Sequence, residues 1–118
     1  MNRRDFTLMI ADQIIFTAKT LKPLDLAPQL DWTLRSTYDQ YQMFKAGKSK
    51  CDGTTKRSEH QNGKAGDILV IGKNKNGVID LLDPMQVCPS EWVAVRQHWV
   101  NLGGEVMLPW DACHFEVQ

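Results

Sequence analysis

Two short segments of this chain gather the side chains that bind metals and move protons. Ser58-Glu59-His60-Gln61-Asn62-Gly63-Lys64-Ala65-Gly66-Asp67 contains a histidine and a carboxylate seven residues apart, and Asp111-Ala112-Cys113-His114-Phe115-Glu116 sets a second histidine between two carboxylates. A catalytic zinc is commonly held by three protein ligands drawn from imidazole nitrogen and carboxylate oxygen, with a further position open to water or substrate. His60, Asp67 and His114 satisfy that count. A hydrolase built on such an ion also needs a group that takes a proton from the attacking water and returns it to the leaving amine. Asp111, three residues before His114, is the candidate general base.

The elements that must position these groups are legible in the surrounding pattern. Gly63 and Ala65 keep the chain small between the first two ligands, and glycine tolerates the turn conformations required there. Ile68-Leu69-Val70-Ile71 is a short apolar, β-branched run, read as a buried strand over 67–72 that fixes Asp67 at its start. Asn74-Lys75-Asn76-Gly77 is a hairpin signal joining it to a strand over Val78–Leu81. His114-Phe115-Glu116-Val117 alternates polar and apolar and reads as another strand, which turns Cys113 away from the face that His114 uses.

Upstream, Phe6, Met9, Ile10, Gln13 and Ile14, with Thr17 and Leu21 beyond, form a helical stripe from about 4 to 20 that Pro23 ends. Residues 22–31 read as a Pro-containing loop and Trp32–Ser36 as a strand carrying Arg35. Thr37 is expected to cap a helix running to about Ala46, with Gly47 as its stop. Residues 48–59 form a polar loop. Ser90 is expected to cap a last helix that carries Trp92, Val95, Trp99 and Leu102 on one face and closes at Gly103. Trp92 and Trp99 read as core, and His98 as a surface or core histidine outside the ligand set.

Several of these segments, in this order, resemble the zinc peptidase family of D-alanyl-D-alanine carboxypeptidases and dipeptidases and phage L-alanyl-D-glutamate endopeptidases. The likeness lies in Ser58-x-His60-x-x-Gly63-x-Ala65-x-Asp67 and Asp111-x-x-His114-Phe115-Glu116. It extends upstream to Arg35-Ser36-x-x-Asp39-Gln40-x-x-Met43-Phe44-x-x-Gly47-Lys48-Ser49-Lys50, covering about residues 32 to 117. Met43-Phe44 stand where relatives often carry Leu-Tyr, Lys48 where they often carry Arg, and Trp110 lies farther behind Gly103-Gly104 than the family's tryptophan. The resemblance implies an α+β fold of the hedgehog/D,D-peptidase type, a small antiparallel sheet with flanking helices. It implies zinc on His60, Asp67 and His114, with Asp111 as base. It also implies that Arg35 contacts substrate or stabilises the oxyanion, and that Ser58 supports the site by hydrogen bonding. The implied partner is the peptidoglycan stem peptide, cut at L-alanyl-D-glutamate by a phage-type endolysin. A D,D-carboxypeptidase or dipeptidase acting on D-Ala-D-Ala is the alternative within the family. A non-catalytic zinc-binding interaction module is the alternative outside enzymes, and Asp111 argues against it.

Length and composition fit this reading. At 118 residues with 42% hydrophobic content, the chain is expected to form one catalytic domain, 1–118, and to act as a monomer. Fourteen Lys and Arg balance fourteen Asp and Glu, so no global field would hold nucleic acid or an anionic membrane. Between residues 45 and 75, however, eight basic residues face three acidic ones, which is either a solvated loop or an attractor of carboxylate-bearing peptide. Cys51, Cys88 and Cys113 have no metal-ligand spacing and read as free thiols, Cys113 as a packing residue. The apolar stretch Phe6–Ile15 is interrupted by Asp12 and Gln13, and no run approaches a membrane span. Synthesis in the cytoplasm without a signal peptide is therefore expected, with holin-type release before action on the wall.

Overall fold

The computed structural model describes residues 1–31, 36–58, 60, 62–106 and 111–118. The chain runs α1 (Arg3–Leu21), a 3₁₀ turn (Lys22–Leu24), β1 (Ala27–Asp31), α2 (Thr37–Lys45), β2 (Ala65–Lys73), β3 (Ile79–Leu82), α3 (Pro84–Val87), α4 (Pro89–Asn101) and β4 (His114–Glu116). This is an α+β arrangement around an antiparallel sheet, four-stranded among the described residues, as expected. None of the described helices is long and apolar enough to cross a membrane.

β2 is the central strand. Its residues 67–71 pair with β1 on one edge, while the other edge is shared along its length by β4, against 65–67, and β3, against 70–73. Residues alternate strictly between faces: Ile68, Val70 and Gly72 are buried, whereas Asp67, Leu69 and Ile71 are only partly covered. The buried face meets Phe6, Met9, Ile10 and Leu21 of α1 and Trp92, Val95 and Trp99 of α4. Phe115 of β4 joins them, its ring edge-on to Trp92 and Trp99 at 6.1 and 5.6 Å. Two polar residues of the α1 stripe, Gln13 and Thr17, are fully buried: the Gln13 amide donates to the Val95 carbonyl at 3.0 Å and to Thr17 Oγ1 at 3.1 Å, while its Oε1 is buried without a partner among the described residues.

Several boundaries differ from the sequence reading. Part of the expected 22–31 loop is strand β1, with Pro28 tolerated because β1 is an edge strand that can lack a donor. The expected strand carrying Arg35 falls mostly on residues 32–35, outside the described residues. Ser36, not Thr37, caps α2, its hydroxyl accepting from the Asp39 N–H at 3.0 Å. Similarly, α4 begins at Pro89 after an N-cap at Cys88, which leaves Ser90 inside the first turn, and the short α3 was not anticipated. Pro favours the first helical position because its missing N–H would be unpaired there anyway.

Candidate metal centre

The two-residue period of the strands builds the site. In the β2–β4 pair Asp67 stands directly opposite His114. Phe115 turns into the core while His114 and Glu116 turn the other way, onto the face that Asp67 uses. His60 comes from the turn that precedes β2, where the Gly63 N–H bonds the His60 carbonyl at 3.3 Å and Gly63 adopts φ +68°, a left-handed conformation that favours glycine. The three side chains, 54 residues apart at their extremes, thus meet on the sheet face opposite α1 and α4.

Their geometry is compatible with a shared metal ion. His60 Nε2 and His114 Nδ1 both lie 3.5 Å from the same oxygen, Asp67 Oδ1. That is longer than a good N–H···O bond of about 2.7–3.2 Å. It is close to the roughly 3.3–3.4 Å edge of a tetrahedron whose ligands sit about 2.0–2.1 Å from zinc. All three ligand atoms lie within 4.8 Å of one another, so the group could hold a metal ion, and a swing of an imidazole about its soft χ2 would close the remaining edge. The two rings are edge-on with centroids 5.0 Å apart.

The electrostatics assign distinct states to the ligands. Burial alone would raise the Asp67 carboxyl, but the adjoining His114 and His60 imidazoles outweigh it and hold its pKa down to about 2. Burial likewise opposes the charged form of His114, yet Asp67, Glu116 and Asp111 together leave its pKa raised. Asp67 is therefore ionised throughout the neutral range, and a metal must compete with a proton at His114.

Around this group lies a cavity of about 490 Å³, lined by His60, Asp67, Asp111, His114 and Glu116 together with Met43, Lys48, Lys50, Cys51, Arg57 and Ser58. Asp111 thus opens onto the same space as the three ligand candidates, and its carbonyl accepts the His114 N–H at 3.4 Å. Ser58 donates its hydroxyl to Gln40 Oε1 at 2.7 Å, so its supporting role runs through α2. Arg35 and Trp110 lie outside the described residues. His98 is away from the cavity, stacked on Phe16 at 4.0 Å and 2.8 Å from Asp12 Oδ1, and Cys113 does not line it. Burial, with Asp111 and Asp67 nearby, pushes the Cys113 thiol up to about 11.

Three supporting residues were given no role from sequence. Glu116 Oε2 faces His114 Nε2 at 3.7 Å, the ring nitrogen not turned to Asp67. At that distance the carboxylate acts on the ring through its charge, favouring the protonated imidazole. Its two-residue spacing from His114 was the available signal. Gln40, fully buried on α2, donates to Ser49 Oγ and the Cys51 carbonyl at 2.8 Å each and accepts from Ser58, which ties both ends of the 49–58 loop to the helix. Arg96, one residue past Val95 in the apolar stripe of α4, donates to the His114 carbonyl at 2.6 Å with its guanidinium 4.0 Å over the Phe115 ring. Burial pushes Arg96 down to about 10 despite Asp111, Cys113 and Glu116. The chain matches no protein-family model and no curated protein.

Proposed function

We propose that this chain is a zinc-dependent peptidoglycan peptidase on a hedgehog/D,D-peptidase-type scaffold, acting as a phage-type endolysin on L-alanyl-D-glutamate bonds of stem peptides. The observation that carries the reading is the convergence of His60 Nε2, Asp67 Oδ1 and His114 Nδ1 on one cavity that Asp111 also lines. Two imidazoles and one carboxylate are a donor set suited to zinc, with room for a further ligand. The order of the surrounding motifs supplies the substrate class by resemblance.

A zinc held there would supply Lewis acidity toward water and the scissile carbonyl. The protein's own groups do the rest. Asp67, held ionised by its two histidines, acts as a ligand and is too weak a base to carry protons near neutrality. Asp111, by resemblance, would take the proton from the attacking water and deliver it to the leaving amine. The Arg96 bond to the His114 carbonyl fixes the strand beneath the His114 ring, and the Glu116 carboxylate lies beside that ring at 3.7 Å. Arg35, by resemblance, would offer its guanidinium to the developing oxyanion.

The test is digestion of purified peptidoglycan by the zinc-loaded protein, with fragments read by mass spectrometry. New amino termini at D-glutamate support the endolysin reading, whereas released D-alanine would reassign the chain to D,D-carboxypeptidase action. A folded, zinc-loaded protein that releases neither refutes the peptidase reading and leaves a zinc-binding module.

A further inference from the structure

The cavity is lined by two unlike sets of charges. The carboxylates Asp67, Asp111 and Glu116 share it with Lys48, Lys50 and Arg57, all three basic residues drawn from the segment between α2 and His60. The acid within residues 48–58 is Asp52, and its carboxylate is turned into the loop, accepting the Lys56 N–H at 2.9 Å and the Thr54 N–H at 3.0 Å. Those two bonds hold it below the usual carboxylate range. It does not line the cavity.

This basic segment is also anchored. Gln40 grips it at Ser49, Cys51 and Ser58. Gly53, at φ +97°, lies so close to α2 that a Cβ there would come within 3.1 Å of the Thr37 carbonyl and 3.3 Å of Gln40 Cβ. Arg57 reaches back to the Gly53 carbonyl at 3.5 Å. Three cations on an anchored loop, lining the same cavity as the metal group, suit a ligand that is anionic at one point and presents an amide at another.

We propose that Lys48, Lys50 and Arg57 form a carboxylate-recognising wall that selects peptides carrying a free carboxylate close to the scissile amide. The proposal rests on the peptidase reading above and names the feature of the substrate that this site reads. A compact space of about 490 Å³ is about 8–10 Å across, and an extended peptide advances roughly 3.3–3.6 Å per residue, so the carboxylate belongs within about two to three residues of the cleaved bond. Charge-assisted hydrogen bonds from ammonium and guanidinium groups provide the recognition. Because these side chains are exposed, salt should weaken it.

The experiment uses the full chain as zinc-loaded Asp111→Asn, so that a bound peptide is not cut, and measures dissociation constants by calorimetry. The probes are one stem pentapeptide with all carboxylates free, its form amidated at the D-glutamate α-carboxylate, and its form amidated at the C-terminus. At least one amidation should weaken binding about tenfold, the scale of one lost charged hydrogen bond. The combined Lys48→Gln, Lys50→Gln and Arg57→Gln substitution should remove that difference. Equal binding of all three peptides to the protein with its native loop overturns the proposal without recourse to the substituted chain, as does a difference that persists in a folded triple variant. Binding of no peptide overturns the wall and the peptidase reading together. A carboxylate preference in binding, without hydrolysis by the unsubstituted protein, supports the wall and refutes only the peptidase reading.

Discussion

Substitution of Gly104 by alanine tests how far the core holds the metal strand. A Cβ at this position would collide with Nε1, Cδ1 and Cε2 of the Trp99 indole. That ring cannot simply move aside: it is fully buried, edge-on to Phe6 at 6.1 Å and to Phe115 at 5.6 Å. Its N–H also donates to the Glu116 carbonyl at 3.0 Å, which the Glu105 N–H bonds as well at 2.9 Å. Overpacking of this kind costs about 1–3 kcal/mol, and the lost indole bond about 0.5–1.5 kcal/mol. Reduced freedom of the unfolded chain offsets about 0.4–1 kcal/mol. The net loss is centred on about 2.3 kcal/mol, within a range of about 0.5–4 kcal/mol. With an unfolding entropy of about 2.1 cal/mol/K per residue over 118 residues, the central value corresponds to a Tm lower by roughly 9 °C. Thermal unfolding followed by circular dichroism measures it, and zinc affinity should fall too, since Trp99 anchors the strand that presents His114. A Gly104→Ala protein that melts within about 2 °C of the parent would refute the account of Trp99 as a rigid buttress.

Other expectations concern the site itself. His60→Ala and His114→Ala should each lose the bound zinc, measured by elemental analysis after dialysis, and full occupancy in both would refute the ligand assignment. Asp111→Asn should retain zinc and fold while turnover on peptidoglycan falls at least about 10²-fold, the usual scale for a lost general base; near-normal turnover removes Asp111 from that role. In chelator, the raised His114 pKa contributes stability that is fully present below its unfolded value of 6.5 and is lost as pH rises through the higher folded value. Asp67, at about 2 against 3.8, contributes stability above 3.8 that is lost as pH falls toward 2. The Tm of the zinc-free protein should thus decline from pH 5.5 to 8.5, and His114→Asn should flatten the decline. Saturating zinc should reverse the trend because metal and proton compete for the same imidazole, and a zinc-free Tm that rises with pH would contradict a raised His114 pKa.

The sequence by itself determined the local elements and the identity of the reactive groups. Helical spacing of Phe6, Met9, Ile10 and Leu21, and of Trp92, Val95 and Trp99, marked the faces that are buried, because a helix repeats its face every three to four residues whatever it packs against. The strand around Asp67, the Asn74–Gly77 turn and the strand at His114 were legible for the same reason: alternation and turn chemistry are properties of short windows. Tertiary structure alone decided what depends on partners distant in the chain. β1 was hidden because an edge strand with Pro28 and mostly exposed residues carries little pattern, and its ladder with β2 supplies what its composition does not. The pairing of Asp67 with His114, 47 residues later, and the choice of Nδ1 as the nitrogen turned to Asp67 follow from the register of β4 on β2. That register is set by packing Phe115 under Trp92, Trp99 and Arg96, which no local window contains. Gln40 and Arg96 escaped notice because a polar side chain on a helix ordinarily points to solvent; only a surrounding set of carbonyls and hydroxyls, brought there by the fold, makes its burial favourable.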